Sequence, residues 1–208
     1  HLSIRRQRQM CIRDRALAQY VRLIERYAGT LNLTAITGGE DLADELVLEA
    51  LRLLDLGEFS HGASVADLGS GNGSPVVPLA ACCPGARFSA IESRQRRAAF
   101  IATVKAALDL ENLDVLGYRV EQVAGRQPHA FDCAMSRAFA RPPEMIQQAL
   151  ALLKPEGELR GFAGADTSEL ELAVAAWGLR DLRVIGYDHE AGRRHVWRAR
   201  LPGAGLHL

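Results

Sequence analysis

The sequence predicts an α/β fold built on a mostly parallel, doubly wound sheet, and three observations carry that expectation. Short apolar strands alternate with helical segments from Ser64 onward, the rhythm of consecutive βαβ units. A glycine-rich turn, GSGNG from Gly69 to Gly73, follows the first strand, at the edge where such sheets hold their ligands. The last two apolar runs are joined by a connection too short for a crossover, so they form an antiparallel hairpin at the sheet edge.

The elements follow in order. Residues 1–15, HLSIRRQRQMCIRDR, are basic and lack a strand or helix period. Met10 to Arg15 looks like a translated sequencing adaptor, so this segment is expected to be non-native or disordered and the native start to be missing. Leu17, Tyr20, Val21, Ile24 and Tyr27 recur at helical spacing until Gly29. After the loop GTLNLTAITGGE, a second helix is expected from Asp41 to Leu54, with Leu42, Leu46, Ala50, Leu53 and Leu54 on one side. These helices form an N-terminal helical extension, residues 16–60, packed on a core of residues 61–208 within one domain. In the core, strands are expected at Ser64–Leu68, Arg87–Ile91, Leu113–Tyr118, Phe131–Ser136 and Glu158–Phe162. Helices fall near Pro75–Cys83, Gln95–Leu108, Pro143–Leu153 and Ser168–Trp177. The hairpin comprises LRDLRVIGYD and HVWRARL, with HEAGRR between them.

The bulk numbers narrow the class. A chain of 208 residues that is 48% hydrophobic can bury one sizeable core. Lys plus Arg (25) balances Asp plus Glu (25), so an anionic partner must be gripped by a local patch. No apolar run is long enough to span a membrane and no secretory leader opens the chain, so a cytoplasmic, monomeric protein without membrane contact is expected. Cys82 and Cys83 sit in an apolar helix and Cys133 in a strand, without zinc or redox spacing, and read as reduced packing thiols. His129, His189 and His195 have no ligand spacing either, so no metal is expected.

Asp67, Gly69, Gly71 and Gly73 define what the turn can hold. Glycine there permits close approach of backbone to ligand. The dinucleotide fingerprint would need a third glycine where Ser74 stands. An acid two residues before Gly69 would repel a pyrophosphate but suits a cationic ligand. S-adenosylmethionine carries a sulfonium and an ammonium and no phosphate, and D-x-G-x-G-x-G after the first strand is the usual first motif of Rossmann-like class I methyltransferases. Glu92, ending the second strand, can accept hydrogen bonds from both ribose hydroxyls.

Four stretches, LNLTAI (31–36), DLGSGNGSPVVPLA (67–80), YRVEQ (118–122) and SRAFA (136–140), resemble in order and spacing the glucose-inhibited division protein B family. Those bacterial methyltransferases make 7-methylguanosine in small-subunit ribosomal RNA. The resemblance covers Ala16 to about Leu201 and implies S-adenosylmethionine as cofactor and the small subunit or its RNA as partner. It implies that Gly69, Gly71 and the backbone at Ser74 contact the cofactor, with Asp67 beside them. Glu92 would hold the ribose, Val120 and Glu121 would flank the adenine, and Arg137 would line the place where cofactor and target base meet. Arg194 matches a family arginine for RNA binding. The chain departs from the family at Ser74 and Val76, at Leu46 of LVLEA where a histidine is usual, and at Ala163 where a lysine is common.

Guanine N7 carries a free lone pair, so methylating it needs no general base, and no catalytic acid or base is assigned. Alignment alone can lower such a barrier by about 7 to 11 kcal/mol. RNA contacts would come from Arg94, Arg96 and Arg97, from Arg137 and Arg141, and from Arg193, Arg194, Arg198 and Arg200. Two other readings compete: a small-molecule methyltransferase, and a non-catalytic cofactor-binding or ribosome-assembly module. A nicotinamide oxidoreductase is disfavoured by Asp67 and Ser74.

Overall fold

The computed structural model describes residues 2–36 and 38–203, with side chains from residue 13 onward. Its centre is a seven-stranded sheet in the order β3-β2-β1-β4-β5-β7-β6. The strands are β1 (Ser64–Leu68), β2 (Arg87–Ile91), β3 (Leu113–Leu116), β4 (Phe131–Ser136), β5 (Leu153–Ala163), β6 (Arg180–His189) and β7 (Gly192–Arg200). Pairs from β3 through β5 are parallel, and β7 pairs antiparallel with both β5 and β6. The order reverses at β1, with β2 on one side and β4 on the other, which opens a crevice at their carboxyl ends.

Alternation along the strands supplies two cores. Val65 of β1 packs with one cluster and its neighbours Ala66 and Leu68 with the other, as the two-residue period requires. The first cluster lies under α1 (Leu2–Leu31), α4 (Val76–Cys82) and α5 (Gln95–Ala107). The second lies under α6 (Val120–Arg126), α7 (Pro142–Leu150) and α8 (Ser168–Ala176). Tyr20 and Ile24 of α1 are fully buried in the first cluster, each stabilising the fold by about 1.5 to 3 kcal/mol.

The differences from the sequence expectation have local causes. The helix expected from Ala16 starts at Leu2, so the backbone of the basic segment is regular where none was expected; His1 and the side chains up to residue 12 lie outside the described residues. It also passes Gly29 and stops at Asn32, whose φ of 48° is left-handed, a conformation Asn tolerates. The expected second helix is a composite of α2 (Gly39–Ala43), a π-helical stretch (Asp44–Leu48), α3 (Glu49–Leu51) and a 3-10 end (Arg52–Leu56). β3 stops at Leu116, so Tyr118 lies beyond it, and α6 was not foreseen. α7 ends at Leu150 and β5 already begins at Leu153. The hairpin turn is only Glu190 and Ala191, which puts Arg193 and Arg194 inside β7 rather than in a loop.

Candidate functional site

The glycine turn is held from below by the N-terminal helices. Gly69, Gly71 and Gly73 have φ of 69°, 55° and 97°, all left-handed, so each needs glycine for its backbone alone. The Tyr20 hydroxyl of α1 donates to Asn72 O at 3.2 Å, and Asn72 Nδ2 donates to Leu33 O at 3.3 Å. Ser74 Oγ donates to Leu46 O at 2.7 Å, taking a carbonyl offered by the π-helical stretch. Ser74 and Leu46, two of the positions that depart from the family pattern, are therefore partners here.

Above this turn lies a cleft of about 520 Å³, bounded by Gly69, Gly71, Ser74, Arg97, Arg137, Ala163 and Arg194. A second hollow of about 270 Å³ opens beside Ile91, Val120, Glu121 and Phe139. Phe139 stands between the two: a Cβ built on Gly69 would lie 2.3 Å from its Cδ2. Glu92, at the end of β2, accepts from Gly71 N at 2.9 Å and from Arg94 N at 2.7 Å, which fixes its carboxylate against the turn. Val120 and Glu121 open α6, whose first turn faces the second hollow. Of the predicted site residues, Gly69, Gly71, Ser74, Arg137 and Arg194 thus line the first hollow and Val120 and Glu121 the second, while Asp67 and Glu92 are buried beside the turn.

Asp67 is the exception in its chemistry. It is 1% exposed and neither carboxylate oxygen has a partner among the described residues. Burial pushes its pKa up to about 7 against the opposing pull of the adjacent Ser70 hydroxyl, which donates to the Asp67 backbone carbonyl, and of the Arg137 charge, while Glu92 adds to the rise. An orphaned buried carboxylate beside bare glycine backbone fits the ammonium end of S-adenosylmethionine. The glycine turn, Glu92 and the Val120–Glu121 hollow fit its remaining parts.

Arg137 and Arg194 are not free cations. Arg137 Nη1 donates to Glu45 O at 2.5 Å and to Glu49 Oε2 at 3.2 Å. Arg194 Nη1 bonds Glu49 Oε1 and lies 3.2 Å from Glu45 Oε2. Glu49, 5% exposed, also accepts from Tyr187 Oη at 2.8 Å. Burial works to raise the Glu49 pKa, and the bonds from Arg194 and Tyr187 with the Arg137 charge overcome it, holding the carboxyl below its usual range. His189 Nε2 completes the group at 3.0 Å from Glu45. Glu45, Glu49 and His189 have the spacing of metal ligands, but the two arginines already balance both carboxylates.

Sequence reasoning missed Tyr20, Glu49, Phe139 and Tyr187. The acid of LVLEA was the available signal for Glu49. Among the other expectations, Cys133 is 4% exposed and burial pushes its thiol up to about 12, in keeping with a packing role. His129 and His195 each place Nδ1 against a backbone carbonyl, Leu153 O and Gly164 O. Among the described residues no helix is long and apolar enough to cross a membrane.

A ligand turn that presents bare backbone and an unpaired carboxylate, at the reversal point of a parallel sheet, defines a class I S-adenosylmethionine-dependent methyltransferase. Solved structures share the fold. A SAM dependent methyltransferase from Aquifex aeolicus superposes with a TM-score of 0.60 at 17% identity, over 77% of this chain and 93% of that one. TYW2 of M. jannaschii in complex with AdoMet gives a TM-score of 0.54 at 16% identity, over 74% and 73%. More particularly, the chain belongs to the GidB family, rRNA small subunit methyltransferase G, whose pattern matches residues 13–195. Ribosomal RNA small subunit methyltransferase G of Nitrosococcus oceani is 31% identical over 93% of this chain and 88% of its own length. The Sorangium cellulosum protein of the same name is 38% identical over 72% and 63%.

Proposed function

We propose that this protein transfers the methyl group of S-adenosylmethionine to N7 of a guanine in small-subunit ribosomal RNA. The observation that carries the reading is the juxtaposition of the orphaned Asp67 and the glycine turn with a cleft edged by Arg97, Arg137 and Arg194. When bound, the cofactor supplies an electrophilic methyl on a sulfonium. Asp67 would take the ammonium, Gly69, Gly71 and the Ser74 backbone the methionine part, Glu92 the ribose, and Val120 with Glu121 the adenine. Arg137, held by Glu45 and Glu49, has a fixed position on the cleft wall from which it can orient the incoming base. Phe139 and the turn exclude water from the floor. Because N7 carries no proton, these residues need only hold donor and acceptor in line. Incubation with labelled S-adenosylmethionine and unmodified small subunits, followed by chemical cleavage at 7-methylguanosine, should give a single cut. Absence of a cut at every guanine would refute the proposal.

A further inference from the structure

β7 turns Arg194, Arg198 and Arg200 to one face, since alternate residues of a strand share a side. On that face Arg198 stands opposite Arg183 of β6 and Arg160 of β5, and Arg200 stands opposite Arg180 and Glu158. Directly paired residues lie on the same side of a sheet, so two adjoining rows hold five arginines and one acid. The row pattern depends on an irregularity. Arg180 and Arg183 are three apart and would point to opposite faces of a regular strand, but a register shift between them brings both to this one.

The charges there are not balanced. Glu158 takes Arg160 at 2.5 Å and both Arg198 and Arg200 at 3.3 Å. Arg160, 4% exposed and further held by Leu53 O and Gly57 O, takes the Oε1 of that one carboxylate and leaves Arg198 and Arg200 to share Oε2. Among the described residues, no carboxylate lies within 4.0 Å of Arg180 or Arg183, both exposed. The Arg198 Nε is buried without a partner. Arg180 opposite Arg200 and Arg183 opposite Arg198 are like-charge cross-strand pairs, which work against the sheet. Arg194, at the cleft, and Arg200 are six residues apart, about 20 Å along the strand.

We propose that this arginine face is a second RNA-binding surface, which grips the phosphate backbone of the substrate RNA about 20 Å from the cleft. The proposal rests on the reading of ribosomal RNA as the substrate. Charge complementarity selects the occupant: the exposed guanidinium groups of Arg180, Arg183 and Arg200, with Arg198 beside them, match a polyanion, and phosphate contacts position RNA without reading its sequence. Arg193, which the sequence grouped with the RNA-contacting arginines, does not belong with them: β7 turns it to the opposite face, where it pairs with Asp188 at 2.8 Å.

The test measures binding of the full chain to protein-stripped small-subunit ribosomal RNA over a range of salt. Arg180→Gln with Arg183→Gln should weaken binding about tenfold at low salt and flatten the salt dependence by about 1.5 in slope, two phosphate contacts' worth. Its thermal midpoint should be unchanged or higher, because a repulsion has been removed, and cofactor affinity by calorimetry should be unchanged. Arg193→Gln should bind RNA as the unmodified chain does. An unaltered salt slope in the double variant would overturn the inference, as would an equal loss in Arg193→Gln, which would mean diffuse attraction. If the unmodified chain itself fails to bind the RNA, the proposed function falls as well; if it binds and the double variant matches it, this surface alone is ruled out.

Discussion

Asp67→Asn should make the ligand-free protein more stable at pH 8 while weakening its hold on S-adenosylmethionine. The Asp67 carboxyl is buried, unpartnered, and raised from 3.8 to about 7. Between those values the unfolded chain has released the proton and the folded chain still holds it. The folded state therefore binds more protons, and stability falls as pH rises through the window. At 1.36 kcal/mol per unit, the roughly three-unit rise costs on the order of 4 kcal/mol above pH 7, and about 2 kcal/mol of that is incurred between pH 5 and pH 7. Asparagine has nearly the same shape and no proton to lose, so its gain over aspartate should grow by about 3 kcal/mol from pH 5 to pH 8. Urea unfolding at the two pH values measures the difference directly. Calorimetry on the same variant should show cofactor binding weaker by about 10- to 100-fold, the loss of one charged hydrogen bond. A variant less stable at pH 8, or equally changed at both pH values, would show that the carboxylate has a partner and would refute the reasoning.

Other substitutions read the rest of the site. Glu49→Gln should cost about 2 to 3 kcal/mol by leaving Arg137 and Arg194 undercompensated. Because the folded pKa of Glu49 is lowered, its contribution is present above the ordinary carboxylate value and lost as pH falls through the lowered one. The gap between the two proteins in urea should therefore close as pH falls below the ordinary carboxylate value, with the unmodified protein the more stable of the pair, the reverse of the order expected at Asp67. Gly69→Ala should lose at least about 2 kcal/mol through its left-handed φ and the contact with Phe139. Adding Phe139→Ala should recover part of that loss, which a double-mutant cycle resolves as a favourable coupling. Ser74→Ala should cost about 1 kcal/mol by leaving Leu46 O unpaired, lowering the thermal midpoint by about 2 to 4 °C.

What was legible in the sequence was local. β1, β2 and β4 have the bounds their apolar runs suggested, because each run ends where an acid, a serine or a glycine turn takes over. β5 begins early because LKPEGEL carries turn residues, Pro155 and Gly157, inside a strand whose pairing tertiary contacts impose. α6 escaped notice because seven residues with only Val120 and Val123 buried show too little period. The four-residue spacing of Leu42, Leu46 and Ala50 did register, and it is the spacing that lines up along a widened helical turn. In the site, Asp67, the glycines and Glu92 formed a readable motif because they occupy consecutive strand ends. The Glu49 cluster did not, because its bonds join residues 88 and 145 positions apart.

That cluster ties the completion of the cleft to the order in which the chain is made. Glu49 emerges early during synthesis, and its partner Arg194 follows 145 residues later. At about 5 to 20 residues per second, Glu49 waits for several seconds or more before β7 exists to receive it. During that interval the glycine turn and β1 through β5 can assemble and Arg137 can already reach Glu49, yet β7 and the second anchor, Arg194, are absent. A nascent chain can thus complete its glycine turn well before the Glu49 carboxylate has both of its arginines, so the cleft closes last at the edge that β7 supplies.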